Sequence, residues 1–481
     1  MGGSCFGTGG TGSGRRLVVS LAVAVAAVTA FVLPAAVPAL GRVLPRPTAP
    51  WRATQLPVPT GSLKDGAAYA GPVSCPKVGG CVVLGEYPTP SGSNEDLIDT
   101  EASGVWSAMA APLPRGGTEA ANVGPFTLAC TGVGDCVGTS IYETTTSVAP
   151  DLLEEVGGIW SAVAMPLPAN ASRYRFPTIT STACLMRWAC VVVGDYVTTS
   201  GLSEGFVVTQ KGRAVLVAET PTPGAVNHGS ALSGVSCSAA TSCVAVGYYI
   251  SAARNRQPLA VSDAAGTLVA STLPQPKDAA RNPLAELQAV SCARSAACVA
   301  LGSYANAGGD RFGVVDTDSK GRWTTSKMLW PSGARAASPS PQVAAVACKL
   351  GNYCLAVGRY IDSSGKPQGL ALREQAGRWS ASMLPGTLDT GVVMRSVSCV
   401  SDTSCAAVGQ YPITGGQVGY LLSLSGSTLS GSVAPAPVNA SATPDETLGS
   451  IACPWVATCV ASGTYEPPGS AETQLPFVVS N

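Results

Sequence analysis

The chain has 481 residues, of which 46% are hydrophobic and only 12% charged, with Lys+Arg and Asp+Glu equal at 29 each. Apolar material for a core is ample. Balanced charge without a basic run excludes nucleic acid as a partner, because phosphate binding needs clustered Lys and Arg.

Residues 1–16 are small and polar and end in Arg15-Arg16. The apolar run LVVSLAVAVAAVTAFVL (17–33) and then PAAVPALG follow. A positive start, an apolar middle and small residues before a possible cut after Ala39 read as a secretion signal. The run is long for a cleaved signal, so an uncleaved N-terminal membrane anchor is the other reading. Either way residues 1–40 are a targeting segment, 41–50 a short linker and 51–481 one folded array. The array is expected to be secreted or held at the outer face of the cytoplasmic membrane.

Sixteen of the seventeen cysteines form eight pairs of identical spacing: Cys75/Cys81, Cys130/Cys136, Cys184/Cys190, Cys237/Cys243, Cys292/Cys298, Cys348/Cys354, Cys399/Cys405 and Cys453/Cys459. The first cysteine advances by 55, 54, 53, 55, 56, 51 and 54 residues from pair to pair, the mark of one quasi-symmetric array. In an exported chain such an even set is a disulfide framework. Each bridge is expected to pin the small turn between a repeat's first two strands, its partners facing each other across the hairpin. Zinc would call for CxxC-like pairs with histidine, and the chain has one histidine, His228. No metal or other cofactor is expected.

One repeat shows the elements. GVSC (234–237) is a short strand, SAATS (238–242) a turn, and CVAVGYY (243–249) an apolar strand suited to burial on both faces. ISAARNRQ (250–257) is a loop, PLAVSDAAG (258–266) a third strand, and TLVASTLPQP (267–276) a fourth that stops at prolines. A glycine recurs four residues after the second cysteine (Gly85, Gly194, Gly247, Gly302, Gly358, Gly409, Gly463), with Ser140 in repeat 2. Its recurrence implies close backbone approach, expected between adjacent repeats near an axis. Tyr87, Tyr142, Tyr196, Tyr249, Tyr304, Tyr360, Tyr411 and Tyr465 follow two residues later, and Trp51, Trp106, Trp160, Trp323 and Trp379 recur as packing residues.

Four short strands per repeat is the composition of a β-propeller blade. The array opens at WRATQLPVP (51–59), a fourth strand without its first three, and closes at PFVVSN (476–481), a third strand without its fourth. Joining them completes the last blade and leaves no open seam. The fold expected is all-β: an eight-bladed propeller of four-stranded blades, its ring closed by the N-terminal strand. This splice resembles that of WD-repeat propellers, although no Gly-His or Trp-Asp signature is present. TDSKGRW (317–323) and EQAGRW (374–379) look like decayed Asp-box turns of the sialidase type.

The WD resemblance implies that the loops after strands two and four share one face, opposite the small cysteine turns. Longer segments there are SLKDGAAYAGP (62–72), ETTTSVAPDLLEE (143–155), ANASRYRFPTITS (169–181), GAVNHGSALSG (224–234), KDAARNPLAELQA (277–289) and NASATPDETLG (439–449). Arg173, Arg175, Arg281, Arg335 and Arg395 are read as fourth-to-first connections, where a ring of arginines would grip a carboxylate or sulfate bidentately. The other reading is solvated loop charge. His228 is a candidate base, and Asp445 with Glu446 a candidate acid–base pair. No Walker loop, dinucleotide fingerprint, GxSxG or HExxH is present.

Two function classes follow. The first is an extracytoplasmic recognition or scaffold module, monomeric, binding an extracellular protein, peptide or envelope glycan through the loop-rich face. The alternative is a secreted propeller enzyme of glycosidase or lyase type with its site in the central funnel. Scarce histidine, scarce charge and no catalytic motif favour binding.

Overall fold

The computed structural model describes residues 51–64, 66–120, 124, 126–224, 228–239, 242–264, 267–294, 297–349, 353–386, 391–469 and 473–481. The targeting segment and linker read at 1–50 lie outside these residues. The rest forms eight antiparallel sheets, each hydrogen-bonded in the order first, second, third, fourth strand. The first strands touch one another around a closed ring, so they surround the axis. The chain is an eight-bladed β-propeller, numbered here by its cysteine pairs.

Blade 5 shows why these segments become these strands. Its strands are Glu286–Arg294, Ala297–Ala305, Arg311–Ser319 and Arg322–Lys327. The second strand, ACVALGSYA, is buried almost throughout, since neighbouring blades cover both faces. The fourth, RWTTSK, is the outer edge and alternates between half-buried and exposed. Short fourth strands with charged residues blunt edge-to-edge pairing. Trp323 and Trp379 pack against the apolar clusters of blades 5 and 6, which span neighbouring sheets.

The ring closes where the termini meet. Arg52–Gln55 pairs antiparallel with Leu475–Ser480, setting Arg52 opposite Ser480 and Gln55 opposite Phe477. The Tyr465 hydroxyl donates to Gln55 at 2.9 Å, and Ser462 donates to the Gly71 carbonyl of blade 1 at 2.6 Å. Both termini of the array are thereby held in one blade.

All eight cysteine pairs are disulfides bridging first and second strands. In six blades the partners stand directly opposite in the ladder, as Cys292 and Cys298 do in blade 5. In blades 1 and 8 the register shifts across the pair, at Ser74/Lys77 and at Ala452/Trp455.

The second cysteine of every pair is buried, as expected of the residue that opens a strand covered on both faces. Cys81, Cys136, Cys190, Cys243, Cys298, Cys354, Cys405 and Cys459 are core residues, only 1–6% exposed. Each opens a second strand that is covered on both faces, and its sulfur packs in an apolar cluster with the preceding blade. Cys81 joins Val460 and Val478 of blade 8, and Cys243 joins Val191 and Val193 of blade 3. Cys354 lies with Val299 and Leu301 of blade 5, Cys405 with Tyr353 and Leu355 of blade 6, and Cys459 with Ala406 and Val408 of blade 7. Cys136, Cys190 and Cys298 do the same against blades 1, 2 and 4. Half of each bridge is therefore interblade packing.

The serine of the recurring VSC phrase has its own task. Ser74, Ser236, Ser291 and Ser398 accept the backbone N–H of the next blade's first cysteine at 2.9–3.1 Å. The staple and the blade-to-blade bond thus come from adjacent residues.

The recurrent glycine is explained differently from the expectation above. The close approach lies within a blade, not between blades. Each of the seven first strands facing such a glycine carries a β-bulge; in blade 5 the register shifts between Leu287 and Ala289. A bulge bends its strand and displaces a carbonyl. A Cβ on Gly302 would lie 1.9 Å from the Glu286 carbonyl oxygen, and the other six would lie 1.8–2.2 Å from their equivalents. Blade 2 is the exception that fits: its first strand is split into Glu119–Ala120 and Thr127–Gly132, and Ser140 is tolerated. Ser140 donates instead to buried Asp96 of blade 1.

Segment 143–155 also differs from its reading as a loop. Only Thr144–Ser147 turns, and Val148–Val156 is the third strand of blade 2.

One third-strand position is Asp99, Leu153, Val208, Val261, Asp316, Leu372, Leu422 and Val479 in blades 1 to 8. Asp316 is hydrogen-bonded by Thr325, whereas Ala108 opposes Asp99, whose oxygens have no hydrogen-bond partner. Burial pushes Asp99 up to about 8 and Asp316 up to about 7. Unfolded, both release their protons near pH 4. Their stabilising contribution is therefore complete below that pH and disappears as pH rises through 7 to 8. The thermal midpoint is expected to fall between pH 5 and pH 8. Asp99→Leu, which copies blades 2, 6 and 7, should flatten that slope and add about 2 kcal/mol at pH 8. An unchanged midpoint at pH 8 in that variant would refute the account of this position.

Candidate functional site

The side chain between the recurrent glycine and tyrosine is Glu86, Ile141, Asp195, Tyr248, Ser303, Arg359, Gln410 and Thr464 in blades 1 to 8. It lies near the end of the second strand, on the face that carries the fourth-to-first connections. Its charged members are half-buried although their strand neighbours are buried. In blades 4 to 7 this position and the adjoining strand ends build an arc of arginines around the axial mouth.

The arc starts at Arg256, which opens the third strand of blade 4. Its guanidinium lies 3.5 Å from the centre of the Tyr248 ring and pairs with Glu286 of blade 5. Arg311 opens the third strand of blade 5, lies 3.7 Å from the same Glu286, and donates to Ser303 at 2.6 Å. Gln288, the bulge residue, donates to Glu286 at 3.1 Å and accepts the Val343 N–H of blade 6 at 2.9 Å. One carboxylate is thus shared by two guanidiniums.

The next two arginines have no such compensation. Arg359 Nε donates to Gln342 Oε1 at 2.7 Å, and Arg395 Nε lies 3.5 Å from Gln410 Oε1. Among the described residues neither has a carboxylate within ion-pair distance. Both line a cavity of about 490 Å³ between the first strands of blades 6 and 7, with Gln342, Ala344 and Met394. Each guanidinium is positioned by one neutral amide oxygen, which leaves its remaining N–H groups for a ligand. No bridged cysteine lines this cavity.

The arginines read from the sequence stand elsewhere, with one exception. Arg395 is not in a connection: it is the bulge residue of the first strand Val393–Ser401. That position is what brings it to the axial wall. Arg173 and Arg175 flank Tyr174, 82% exposed, in the connection before blade 3. Arg281 and Arg335 are exposed in the connections before blades 5 and 6, and His228 is half-buried before blade 4. Among the described residues none of these five makes a side-chain hydrogen bond or ion pair with another. Arg256, Arg311 and Arg359 were not singled out. The recurring Gly-X-Tyr phrase flags Arg359, but its direction depends on the ring.

Asp445 and Glu446 do not form a pair. Asp445 accepts from Gln417 at 2.6 Å, while Glu446 is 1% exposed and pushed up to about 7 by burial. On the opposite face a cleft of about 420 Å³ between blades 5 and 6 is lined by Asp318 and Glu374. Their carboxylates accept the N–H groups of Gly321 and Gly377, closing the third-to-fourth turns. This is how the Asp-box-like phrases act here.

No family model and no curated protein matches the chain. Among solved structures it is similar to YCF48 from Cyanidioschyzon merolae, at 12% identity, covering 78% of this chain and 97% of that one with a TM-score of 0.39. It is also similar to a PL25 ulvan lyase (9% identity, 88% and 96% covered, TM-score 0.43). A third is the β-propeller domain of the trilobed protease from Pyrococcus furiosus (8% identity, 77% and 98% covered, TM-score 0.44). Likeness of this depth concerns fold alone.

Proposed function

We propose that the chain is an extracytoplasmic recognition module that binds an acidic ligand, presented by an extracellular protein, peptide or glycan, at the axial mouth. The observation that carries this reading is the pair Arg359 and Arg395, two guanidiniums without a carboxylate partner among the described residues, sharing one cavity. A guanidinium offers a planar fork of donors matched to carboxylate or sulfate, and two on one wall grip an oxyanion from two sides. Eight disulfides suit an oxidising compartment outside the cytoplasm. The acidic pair considered for catalysis is split between a half-buried, hydrogen-bonded position and a sealed one, which favours binding over turnover.

The test is calorimetric titration of the oxidised protein with carboxylate- and sulfate-bearing probes at low and high salt. Arg359→Gln and Arg395→Gln should each weaken binding by about 1.5–3 kcal/mol, the worth of a charged hydrogen bond. Rising salt should weaken it further. Acidic probes that bind both variants as tightly as the parent would refute the proposal.

A further inference from the structure

The arginine arc covers only blades 4 to 7; the same slot is acidic in blades 1 and 3 and uncharged in blades 2 and 8. In the slot that Arg359 occupies in blade 6, blade 1 has Glu86 and blade 3 has Asp195. In a ring of eight, blades 1 and 3 face blades 5 and 7 across the axis, and blade 6 faces blade 2 between them. The Glu86 carboxylate lies against Gly124 of blade 2: a Cβ on Gly124 would stand 3.5 Å from its Oε2. That places it beside Gly124, which lies between the two parts of blade 2's first strand. Asp195 accepts from Ser203 at 3.1 Å. Among the described residues neither acid has a cationic partner within ion-pair distance. Partial burial holds both carboxyls above the usual range, as expected where charge is neither fully solvated nor paired. Ile141, in the slot of blade 2 between them, is buried and uncharged.

We infer that the mouth takes a dipolar ligand bearing a carboxylate and an ammonium at separate ends, as a short peptide with free termini does, the carboxylate on Arg359 and Arg395 and the ammonium between Glu86 and Asp195. This rests on the acidic-ligand reading above and narrows it. A polyanion would meet the acidic wall as well as the basic one. A dipolar ligand satisfies both, and opposite potentials across the mouth orient it before contact. Pairing also relieves the two carboxylates of their unmatched charge.

The experiment uses four alanine peptides in each length from two to six residues: free at both ends, N-acetylated, C-amidated, and blocked at both ends. Each is titrated into the oxidised full chain by calorimetry. The free-ended peptide is expected to bind at least tenfold more tightly than either singly blocked form at its best length. Glu86→Gln with Asp195→Asn should cost the free-ended peptide about tenfold and leave the N-acetylated one unchanged or tighter. Arg359→Gln should weaken both. An N-acetylated peptide that binds as well as the free-ended one would overturn the dipolar assignment while leaving the acidic-ligand reading standing. No binding by any peptide with a free carboxylate, together with none by sulfate- or carboxylate-bearing glycans, would overturn both.

Discussion

Gly302→Ala is expected to destabilise the propeller by about 3–5 kcal/mol, the range of severe overpacking in a rigid interior. The methyl would stand 1.9 Å from the Glu286 carbonyl oxygen, and the obstacle is backbone held by the ladder between the first and second strands. No rotamer change relieves it. The first strand of blade 5 must lose its bulge or separate from the second, and Glu286, which holds Arg256 and Arg311, would move with it. Gly449→Ala is the control, because nothing lies within 4 Å of a Cβ at that position. Chemical denaturation should show a lowered midpoint for the first variant and a near-unchanged one for the second. Equal midpoints would contradict the bulge as the reason for glycine.

Reduction of the disulfides has the second large effect. Each bridge closes a loop with a sequence separation of 6, worth about 2 kcal/mol in the loop-entropy treatment. Eight such contributions together match or exceed the roughly 5–15 kcal/mol by which domains are usually stable. The fully reduced chain is expected to be unfolded or to melt far below the oxidised one. Replacing one pair, Cys292→Ser with Cys298→Ala, should cost only about 2–4 kcal/mol, the bridge plus the small void left by the buried Cys298 sulfur. Alanine is the choice at position 298 because a serine hydroxyl would be sealed among apolar neighbours. Thermal melts with and without reductant decide the matter. Coincident melts would show that the staples add nothing to the apolar packing between blades.

Much of this architecture was legible in the residues. The cysteine period gives the blade count, and the strands at Trp51–Pro59 and Pro476–Asn481 show how the ring closes. Both are one-dimensional features that survive without knowledge of neighbours. The pairing of the cysteines was legible for the same reason, and so was the burial of their second members, which open strands read as covered on both faces. Which residues cover Cys81, Cys243, Cys354, Cys405 and Cys459 was not legible, because they belong to the preceding blade. The reason for the recurrent glycine was not legible either, because it depends on a bulge in the partner strand. A single extra residue there barely disturbs the apolar alternation. The same bulge moved Arg395 from an apparent connection into a first strand. Arg359 was visible as a charged residue in a fixed slot, but a slot's direction is set by the ring and not by local pattern. The Asp-box resemblance proved local and mechanical: Asp318 and Glu374 close turns by accepting a glycine N–H.

The central claim is that an acidic group is gripped at the axial mouth between blades 6 and 7. The most direct measurement is a crystal structure of the oxidised protein grown with a short peptide of free carboxylate terminus. The account predicts carboxylate oxygens within about 3 Å of the guanidinium nitrogens of both Arg359 and Arg395. A peptide held at Arg173 and Arg175, or on the cysteine-turn face beside Asp318 and Glu374, with nothing against Arg359, would contradict it.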